Sequence, residues 1–380
     1  MRRNHKSEWV LPLLLILLWL GCGHGVLYLP SSSTECGWTQ AGGDAHGGGL
    51  LDPGPEPPLR LRWQQKVGKP PLGSPLLSGS LLLQWSKAPD LYGFDVASGT
   101  RVGKWGFDDP VCGPPALAGA GGRLMLVSIL EERSQLRAID LASGDILWRQ
   151  DGVLCAAVVV RNDTVYAAME SGQLMALAVA DGQPLWNLAL EPPLTSAPSL
   201  AKDVLYIADG DGELVAAGID SGHVRWRRNL GTRLRSRPAV DVARKQVLAA
   251  VDGSLHALSA DTGEPIWEAD FAGLPSIGLF LSKKVVAVGS TDHSLYGFDA
   301  ASGRRMWRCD TDGIIRAAPV GTDNTIYFGA GDGWLHAVDI SDGSMRWRQQ
   351  LDGPVLTSAA LTRRSLAVTT ELGTTYVFSP

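Results

Sequence analysis

The sequence has no excess of positive charge. It contains 34 lysines and arginines against 39 aspartates and glutamates, which gives a net charge of −5. A protein that binds nucleic acid in general needs a basic surface that covers phosphate groups. The composition therefore argues against nucleic acid as a partner, and against adhesion to anionic lipid by charge alone.

The short motifs of common catalytic sites are also missing. The sequence has no Gly-x-Ser-x-Gly, no His-Glu-x-x-His and no phosphate-binding loop, the patterns that mark serine hydrolases, zinc proteases and nucleotide hydrolases. Its five cysteines include no Cys-x-x-Cys pair, which argues against zinc binding and thioredoxin-like chemistry. These patterns predict no catalytic residue.

Only one long apolar run is present, at residues 9–20, and it follows Arg2, Arg3 and Lys6. A basic start followed by a twelve-residue apolar core is typical of a secretory signal, and this core is short for a transmembrane helix. We therefore predict that residues 1–21 are a signal peptide and that the protein is exported.

The end of this segment, Leu20-Gly21-Cys22, resembles the lipobox of bacterial lipoproteins, in which the cysteine becomes the lipidated first residue. Trp19 and Leu20 stand where a leucine and a small residue are usual. We predict lipidation of Cys22, with cleavage without a lipid and an uncleaved anchor continuing to residue 29 as the alternatives. Because Gly23 rather than aspartate follows, we expect the periplasmic side of the outer membrane.

What the sequence does contain is a repeat of about forty residues. Eight tryptophans follow one another at intervals of 38 to 43 residues: Trp63, Trp105, Trp148, Trp186, Trp226, Trp267, Trp307 and Trp347. The full pattern Asp-x-x-x-Gly-x-x-x-Trp occurs at residues 140–148, 299–307 and 339–347. One aromatic residue per forty-residue unit is typical of a propeller or a solenoid. We expect these tryptophans to be structural and to pack neighbouring sheets together.

Each unit has four short apolar runs separated by turn residues, which predicts four antiparallel strands, A to D. In the unit that ends at Trp226, these runs are residues 196–200, 204–208, 213–218 and 223–228.

The two ends of the repeat region complement each other. The first strand, residues 59–66, carries Trp63 but has no A, B or C strand before it. The last unit has strands at residues 356–361, 365–369 and 374–378, and then stops without a tryptophan. The first strand should therefore complete the last blade. This predicts an all-β, monomeric, eight-bladed propeller of four-stranded antiparallel blades over residues 59–380.

The strand–Asp-x-x-x-Gly-x-x-x-Trp pattern resembles the PQQ-like repeat over roughly residues 36–380. The resemblance implies one of two functions. One is a quinoprotein dehydrogenase that holds pyrroloquinoline quinone and calcium. The other is a non-enzymatic lipoprotein of the outer-membrane β-barrel assembly machinery, or an exported binding propeller with another partner.

The residues argue against the dehydrogenase. Intervals of 38 to 43 residues leave no room for the insertions that build the quinone pocket in those enzymes, and the chain has no adjacent cysteines. No cluster of glutamate, asparagine and aspartate matches the family's calcium site. We therefore expect neither pyrroloquinoline quinone nor calcium, and no enzyme activity.

Residues 22–58 are predicted to be a flexible tether, because residues 30–58 are rich in serine, glycine and proline and have no periodicity. Within them, Trp38, the Gly42-Gly43-Asp44 triplet and the following glycines resemble a segment that precedes the propeller in PQQ-like repeat proteins. His46 is predicted to be solvated rather than a metal ligand.

Four cysteines follow Cys22, and three full pairings of them are possible: Cys36, Cys112, Cys155 and Cys309. Cys112 and Cys155 both open the first strand of successive repeats, where apolar residues are expected. We predict buried free thiols.

Acidic residues mark the predicted turns between strands B and C: Asp90, Glu131, Glu132, Glu170, Asp209, Asp211, Asp252, Asp292, Asp332 and Glu371. A ring of carboxylates suggests cation binding, but aspartate before glycine is ordinary turn chemistry. We favour the turn interpretation.

Residues 225–237 hold six arginines and no acidic residue: Arg225, Arg227, Arg228, Arg233, Arg235 and Arg237. This is the sharpest charge asymmetry in an acidic chain, and arginine is enriched at protein interfaces. An ion-paired strand face is the alternative. We predict that these arginines bind an acidic protein partner, and that the propeller is a scaffold in outer-membrane protein assembly.

Overall fold

A computed structural model describes residues 37–119, 123–130, 134–153, 158–169, 171–190, 194, 196–208, 212–231, 234 and 236–380. All regular secondary structure within these residues is β, in 32 strands that form eight antiparallel sheets of four strands. The predicted all-β, eight-bladed propeller is confirmed. Within the described ranges, no helix of the length and apolarity needed to cross a membrane is found.

The strands of each blade follow the chain from the inner edge to the outer edge. Blade 1 consists of β2 (Leu76–Ser78), β3 (Leu81–Trp85), β4 (Asp90–Asp95) and β5 (Arg101–Gly106). Blade 2 consists of β6 (Ala116–Ala118), β7 (Leu124–Leu130), β8 (Ser134–Asp140) and β9 (Ile146–Asp151). Blade 3 consists of β10 (Val159–Arg161), β11 (Thr164–Ala168), β12 (Gln173–Ala178) and β13 (Pro184–Ala189). Blade 4 consists of β14 (Ser199–Ala201), β15 (Val204–Ala208), β16 (Glu213–Gly218) and β17 (Val224–Asn229).

The second half of the ring repeats this order. Blade 5 consists of β18 (Ala239–Asp241), β19 (Gln246–Val251), β20 (Ser254–Ser259) and β21 (Pro265–Asp270). Blade 6 consists of β22 (Phe280–Leu281), β23 (Val285–Gly289), β24 (Ser294–Asp299) and β25 (Arg305–Asp310). Blade 7 consists of β26 (Val320–Gly321), β27 (Thr325–Gly329), β28 (Trp334–Asp339) and β29 (Met345–Gln350). Blade 8 consists of β30 (Ala360–Leu361), β31 (Leu366–Thr369), β32 (Thr374–Ser379) and β1 (Arg60–Lys66).

Blade 8 closes the ring as predicted. Its outer strand β1 pairs with the C-terminal strand β32, with Trp63 opposite Val377. Its inner strand β30 contacts β2 of blade 1 and β26 of blade 7. Pairing of the two ends of the propeller removes the open edge that an unclosed repeat would expose.

The repeat motif joins each blade to the one before it. In blade 6, Asp299 Oδ1 accepts a hydrogen bond from the Ser302 N–H at 2.8 Å, and Gly303 turns the chain with a φ of 71°. A β-carbon on Gly303 would lie 2.4 Å from the Trp267 ring of blade 5. Glycine is therefore required at this position for two reasons: it permits the turn, and it leaves space for the indole of the preceding blade. We call a glycine in this contact a glycine seat.

The same seat occurs seven times around the ring, pairing Gly99 with Trp63, Gly144 with Trp105, Gly182 with Trp148, Gly222 with Trp186, Gly263 with Trp226, Gly303 with Trp267, and Gly343 with Trp307. Several of these indoles also donate a hydrogen bond to the next blade, as Trp186 Nε1 does to the Ile219 carbonyl at 2.8 Å. The eighth, Trp347, packs edge-on against Phe378 of blade 8 at 5.5 Å between ring centres. The predicted structural role of the tryptophans agrees with this packing.

The tether prediction is wrong for residues 37–56. This part of the chain is held against the blades by hydrogen bonds, and Trp38 is buried. The free-thiol prediction is also wrong for Cys112, which is disulfide-bonded, whereas Cys309 is free and half-buried. Cys22, Cys36 and Cys155 lie outside the described residues.

Candidate functional site

The axis of the propeller is occupied by a piece of the chain itself, residues 37–51, which we call the axial segment. Successive blades bind it in chain order through N–H groups of their inner strands. The donors and acceptors are Leu77 to Trp38, Leu117 to Thr39, Val160 to Gln40, Leu200 to Ala45, Val240 to His46, Leu281 to Gly48, and Gly321 to Gly49. These seven bonds measure 2.8 to 3.1 Å. The axial segment therefore contacts seven of the eight blades.

A compact loop within the axial segment accounts for the Trp38 to Gly47 motif. Gly42 and Gly43 have φ values of 79° and 83°, and Gly43 lies against the Trp38 ring. The Asp44 carboxylate accepts hydrogen bonds from the N–H groups of His46 and Gly47, at 2.9 and 3.2 Å. Burial alone would raise the pKa of Asp44, but hydrogen bonding and charge from His46 lower it below its usual value. This motif is structural.

Arg237 binds this loop to the inner strands that surround the axis. Its residue surface is 7% exposed, and its Nε donates to the Pro198 carbonyl at 3.1 Å. Its terminal nitrogens donate to the carbonyls of Ala41, at 2.6 Å, and Ala45, at 3.0 Å. Burial lowers its pKa to about 10, against the opposing charge of Asp44. Arg237 therefore binds its own chain and does not face an external partner, contrary to the predicted arginine surface.

The repeat sets Arg237 apart from its equivalents. It lies three residues before the inner-strand N–H that binds the axial segment. The equivalent positions in the described blades are Ser74, Pro114, Ala197, Gly278, Ala318 and Ser358. Blade 5 alone among these places a long cation at the channel wall, and comparison of the repeats could have revealed it.

Three of the remaining arginines lie together on the outer strand β17. Arg225 pairs with Asp203 at 2.6 Å, and Arg227 pairs with Glu213 at 2.8 Å. Arg228 reaches the next blade, where it pairs with Glu264. Their side chains are 32% to 38% exposed. Exposed ion pairs contribute little stability, so these arginines can exchange partners at low cost. Arg233 and Arg235 lie outside the described residues.

The neighbouring outer strand, β13 of blade 3, has no charged residue, unlike the other seven outer strands that the structure describes. Its Leu185 is 56% exposed and lies at a register shift in the pairing with β12. Charged residues commonly protect edge strands. An uncharged strand beside the arginines of β17 is a feature that the sequence analysis missed, although the absence of charge was visible.

Carboxylates of the B–C turns are held by neighbouring side chains, mostly of their own blades, although Glu371 of blade 8 pairs with Lys87 of blade 1 at 3.7 Å. Asp90 pairs with Lys104 at 3.0 Å, and Asp292 accepts a hydrogen bond from the Tyr296 hydroxyl at 2.5 Å. Among the described residues, no group of three or more histidine, cysteine, aspartate or glutamate side chains could hold a metal ion. The turn interpretation is favoured. Outside the described residues are Glu131, Glu132, Glu170, Asp209 and Asp211.

A cavity of about 360 Å³ lies on the axis, between the axial segment and the starts of the inner strands. Residues from seven blades line it, which places it at the centre of the ring. Among the described residues that line it, Arg237 alone is charged, and its donors are engaged by carbonyl groups. Pyrroloquinoline quinone carries carboxylates and calcium requires several oxygen ligands. The described residues that line this cavity offer neither a free cation nor a carboxylate, so these residues do not fit either group.

The family model described as outer membrane protein assembly factor BamB matches residues 132–278 and 251–379. No curated protein matches the chain significantly.

Solved structures with the same fold include proteins of different functions. BamB from Moraxella catarrhalis is 18% identical, with a TM-score of 0.72, over 85% of this chain and 100% of that one. The quinohemoprotein alcohol dehydrogenase ADHIIG from Pseudomonas putida HK5 is 11% identical, with a TM-score of 0.72, over 90% and 80%. A europium-containing methanol dehydrogenase is 15% identical, with a TM-score of 0.67, over 85% and 93%. At these identities the structural likeness concerns the fold alone, whereas the family model matches more than half of the sequence, and the chain belongs to the family of outer membrane protein assembly factor BamB.

Proposed function

We propose that this protein is a non-enzymatic scaffold that binds other proteins during the assembly of β-barrel proteins into the outer membrane. The observation that carries the proposal is the family match over residues 132–379. The axial segment supports it, because it occupies the centre of the ring and the described residues around it offer no free cation to a quinone. Binding surface is then left on the rim and the loops.

We further propose that a lipid on Cys22 anchors the propeller to the periplasmic side of the outer membrane. The sequence of residues 1–22 supports this anchor. A rigid, closed ring held near the membrane by one end would present its rim to proteins that pass through the periplasm.

The proposed contact surface is the rim of blades 3 and 4. It combines Arg225, Arg227 and Arg228 on β17 with the exposed Leu185 of the uncharged strand β13. A partner with acidic and apolar residues in an extended segment would match this combination. Its carboxylates would replace Asp203 and Glu213, and its apolar side chains would cover Leu185.

Affinity purification from membranes tests the function and the surface separately. The full chain should recover proteins of the β-barrel assembly machinery. The double variant Arg225→Glu/Arg227→Glu should lose them, whereas Arg305→Glu/Arg308→Glu, the same charge change on β25 of blade 6, should retain them. Circular dichroism and thermal unfolding establish that both variants fold.

If the wild-type chain recovers no assembly protein, the proposed function is wrong. If it does so and the Arg225→Glu/Arg227→Glu variant recovers the same proteins in the same amounts, the function stands and the proposed surface is rejected.

A further inference from the structure

The two faces of the propeller are formed by different turns. Because consecutive strands of a blade are antiparallel, the A–B turns lie on one face and the B–C turns on the other. The A–B turns of blades 5 to 8 contain one carboxylate, Asp323, and six cations, which we call the basic arc: Arg244, Lys245, Lys283, Lys284, Arg363 and Arg364. In blades 1 to 4 the same turns contain two cations and two carboxylates: Arg123, Lys202, Asp163 and Asp203. Positive charge is therefore concentrated on one half of this face.

The A–B turn does not need these cations in order to form. At the equivalent turns, blade 1 has Gly79-Ser80, blade 3 has Asn162-Asp163 and blade 7 has Asp323-Asn324. Blades 5, 6 and 8 instead each have two adjacent cations. Because loops on a rigid scaffold commonly carry binding residues, the basic arc is a candidate binding surface.

All six residues of the basic arc are exposed. Arg244 pairs with Asp241 at 2.7 Å and also donates to the Lys283 carbonyl, which joins the turns of blades 5 and 6. Lys245 reaches Asp261 at 3.5 Å, but both side chains are 65% exposed, so this pair contributes little stability. The other four cations form no ion pair with any residue that the structure describes. They are therefore available to anionic groups outside the chain.

The C–D turns of these blades lie on the same face, farther from the axis. They add one cation and three carboxylates: Arg304, Asp261, Glu264 and Asp342. Cations therefore still outnumber carboxylates in the turns of this face of blades 5 to 8.

The opposite face of the same blades is acidic. Each B–C turn of blades 5 to 8 contains one carboxylate and no lysine or arginine, and these carboxylates are Asp252, Asp292, Asp332 and Glu371. An anionic surface is therefore attracted to the basic arc and repelled by the opposite face. The net charge of −5 argues against adhesion of the whole protein to lipid, but it does not describe this face, because the charges are segregated.

The chain reaches the propeller on the face of the basic arc. Gly37, the first described residue, lies against the end of β2, where a β-carbon on it would be 2.0 Å from the Leu77 carbonyl oxygen. Ser78 ends β2, and the A–B turn of blade 1 follows it. Cys22, the proposed site of the lipid, precedes Gly37 by 15 residues. An anchor at Cys22 therefore connects to the propeller on this face.

We propose that the basic arc binds the phosphate groups of anionic membrane lipids and thereby turns its face of the propeller towards the membrane. Lysines and arginines near a membrane surface are attracted to anionic headgroups over a distance of about one Debye length. The acidic face then points away from the membrane, and the rim stays open to proteins. The inference rests on the proposed attachment to a membrane, but not on the proposed assembly partners, whose recovery is measured separately.

Acylation of lysines by a water-soluble reagent, measured by mass spectrometry, tests this contact. The full chain is mixed with vesicles of phosphatidylcholine alone, or of an equal mixture of phosphatidylcholine and phosphatidylglycerol. In the anionic vesicles, acylation of Lys283 and Lys284 should fall about threefold, and high salt should restore it. Acylation of Lys69 and Lys87, which lie on the opposite face, should be equal in both kinds of vesicle.

The variant Arg363→Glu/Arg364→Glu removes two cations of the basic arc and leaves the reporter lysines intact, so the protection of Lys283 and Lys284 should be largely lost. Lys69→Glu/Arg316→Glu is the matched control, because it makes the same charge change on the opposite face and should keep the protection. Thermal unfolding checks that the variants fold. If Arg363→Glu/Arg364→Glu does not fold, Lys283→Glu/Lys284→Glu replaces it, with Lys245 as the reporter.

Equal acylation of Lys283 and Lys284 in the two kinds of vesicle overturns the proposal. Full protection in the folded Arg363→Glu/Arg364→Glu variant also overturns it. Protection by poly-glutamate in solution but not by vesicles would identify an acidic protein as the occupant, and would reject a lipid surface.

Discussion

The joints between blades and the wall of the axial channel use the same repeat in opposite ways. At the joints, seven glycines receive seven tryptophans of the preceding blades with nearly the same geometry. At the axis, the other described blades have a small residue or proline where blade 5 has Arg237. Residues that recur in every blade are those that the ring needs for closure. Residues that occur in only one blade have a role other than closure of the ring.

The largest loss of stability is expected at a repeated joint. Trp226→Ala removes a buried indole that packs on Gly263 and donates to the Ala260 carbonyl at 3.0 Å. It should lower the free energy of unfolding by about 3–5 kcal/mol. Trp347→Ala, whose indole has no glycine seat and is more exposed, should lower it less. Denaturant unfolding of the two variants measures the difference, and equal losses would contradict the importance of the glycine seat.

A single unrepeated residue should come next. Arg237→Ala leaves the carbonyls of Ala41, Ala45 and Pro198 without their donor and should cost about 3 kcal/mol. Arg228→Ala removes an exposed ion pair and should cost less than about 1 kcal/mol. Arg237→Ala should also make the axial segment sensitive to limited proteolysis. A stability and cleavage pattern equal to that of Arg228→Ala would show that Arg237 does not hold the segment.

The energetic effect of the contact between glycine and indole can be measured separately from the effect of the turn conformation. Gly222→Ala places a β-carbon 2.6 Å from the Trp186 ring at a φ of 67°. It should cost about 2 kcal/mol, from backbone strain and displacement of the indole. Gly231 has a φ of 80° but nothing within 4 Å of its β-carbon position, so Gly231→Ala should show the backbone cost alone, about 1 kcal/mol. Similar losses in both variants would mean that the indole adjusts freely.

The smallest expected effect is a pH dependence at the axis. Because the pKa of Asp44 is lowered in the folded protein, its contribution to stability is complete above the unfolded value of 3.8 and is lost as the pH falls through the folded value. Asp44→Asn should therefore reduce stability at neutral pH and flatten the decrease in acid. More than half of the Asp44 side-chain surface is exposed, even though packing around the carboxyl opposes its ionisation, so solvent screening should keep the effect small. The free energy of unfolding of the wild-type protein and of Asp44→Asn should be measured from pH 7 to about pH 2. Parallel pH profiles of the two proteins would contradict this prediction.

The regular part of the fold was predictable because each repeat consists of apolar runs separated by turn residues. The predicted B and C strands of blade 4 agree with β15 and β16. Strand A begins three residues later than predicted, at Ser199, because Pro198 cannot donate a ladder hydrogen bond. The closure by Trp63 followed from counting strands.

The irregular parts were harder to predict for a physical reason. A glycine-rich segment without periodicity resembles a flexible tether, but its backbone carbonyls can still be bound one by one by a surrounding ring of N–H donors. Composition does not show such bonds. Composition also did not show that Arg237 is buried while Arg225 of the same arginine-rich stretch lies on the surface; only comparison of the repeats could have shown it.

The disulfide partner of Cys112 lies outside the described residues, since Cys309 is free. Cys155 occupies the equivalent repeat position in the sequence of the next blade. Peptide mapping without reduction should therefore recover Cys112 linked to Cys155, and a link to any other cysteine would contradict this assignment.

The central structural claim is that residues 37–51 are a fixed part of the propeller, held at its axis by one N–H donor from each of seven blades and by Arg237. Hydrogen exchange followed by mass spectrometry tests it most directly. Peptides covering the axial segment and the inner strands at Leu200, Val240 and Leu281 should exchange slowly in the wild-type protein and much faster in Arg237→Ala. Exchange of the wild-type segment at the rate of an unstructured peptide would contradict the account.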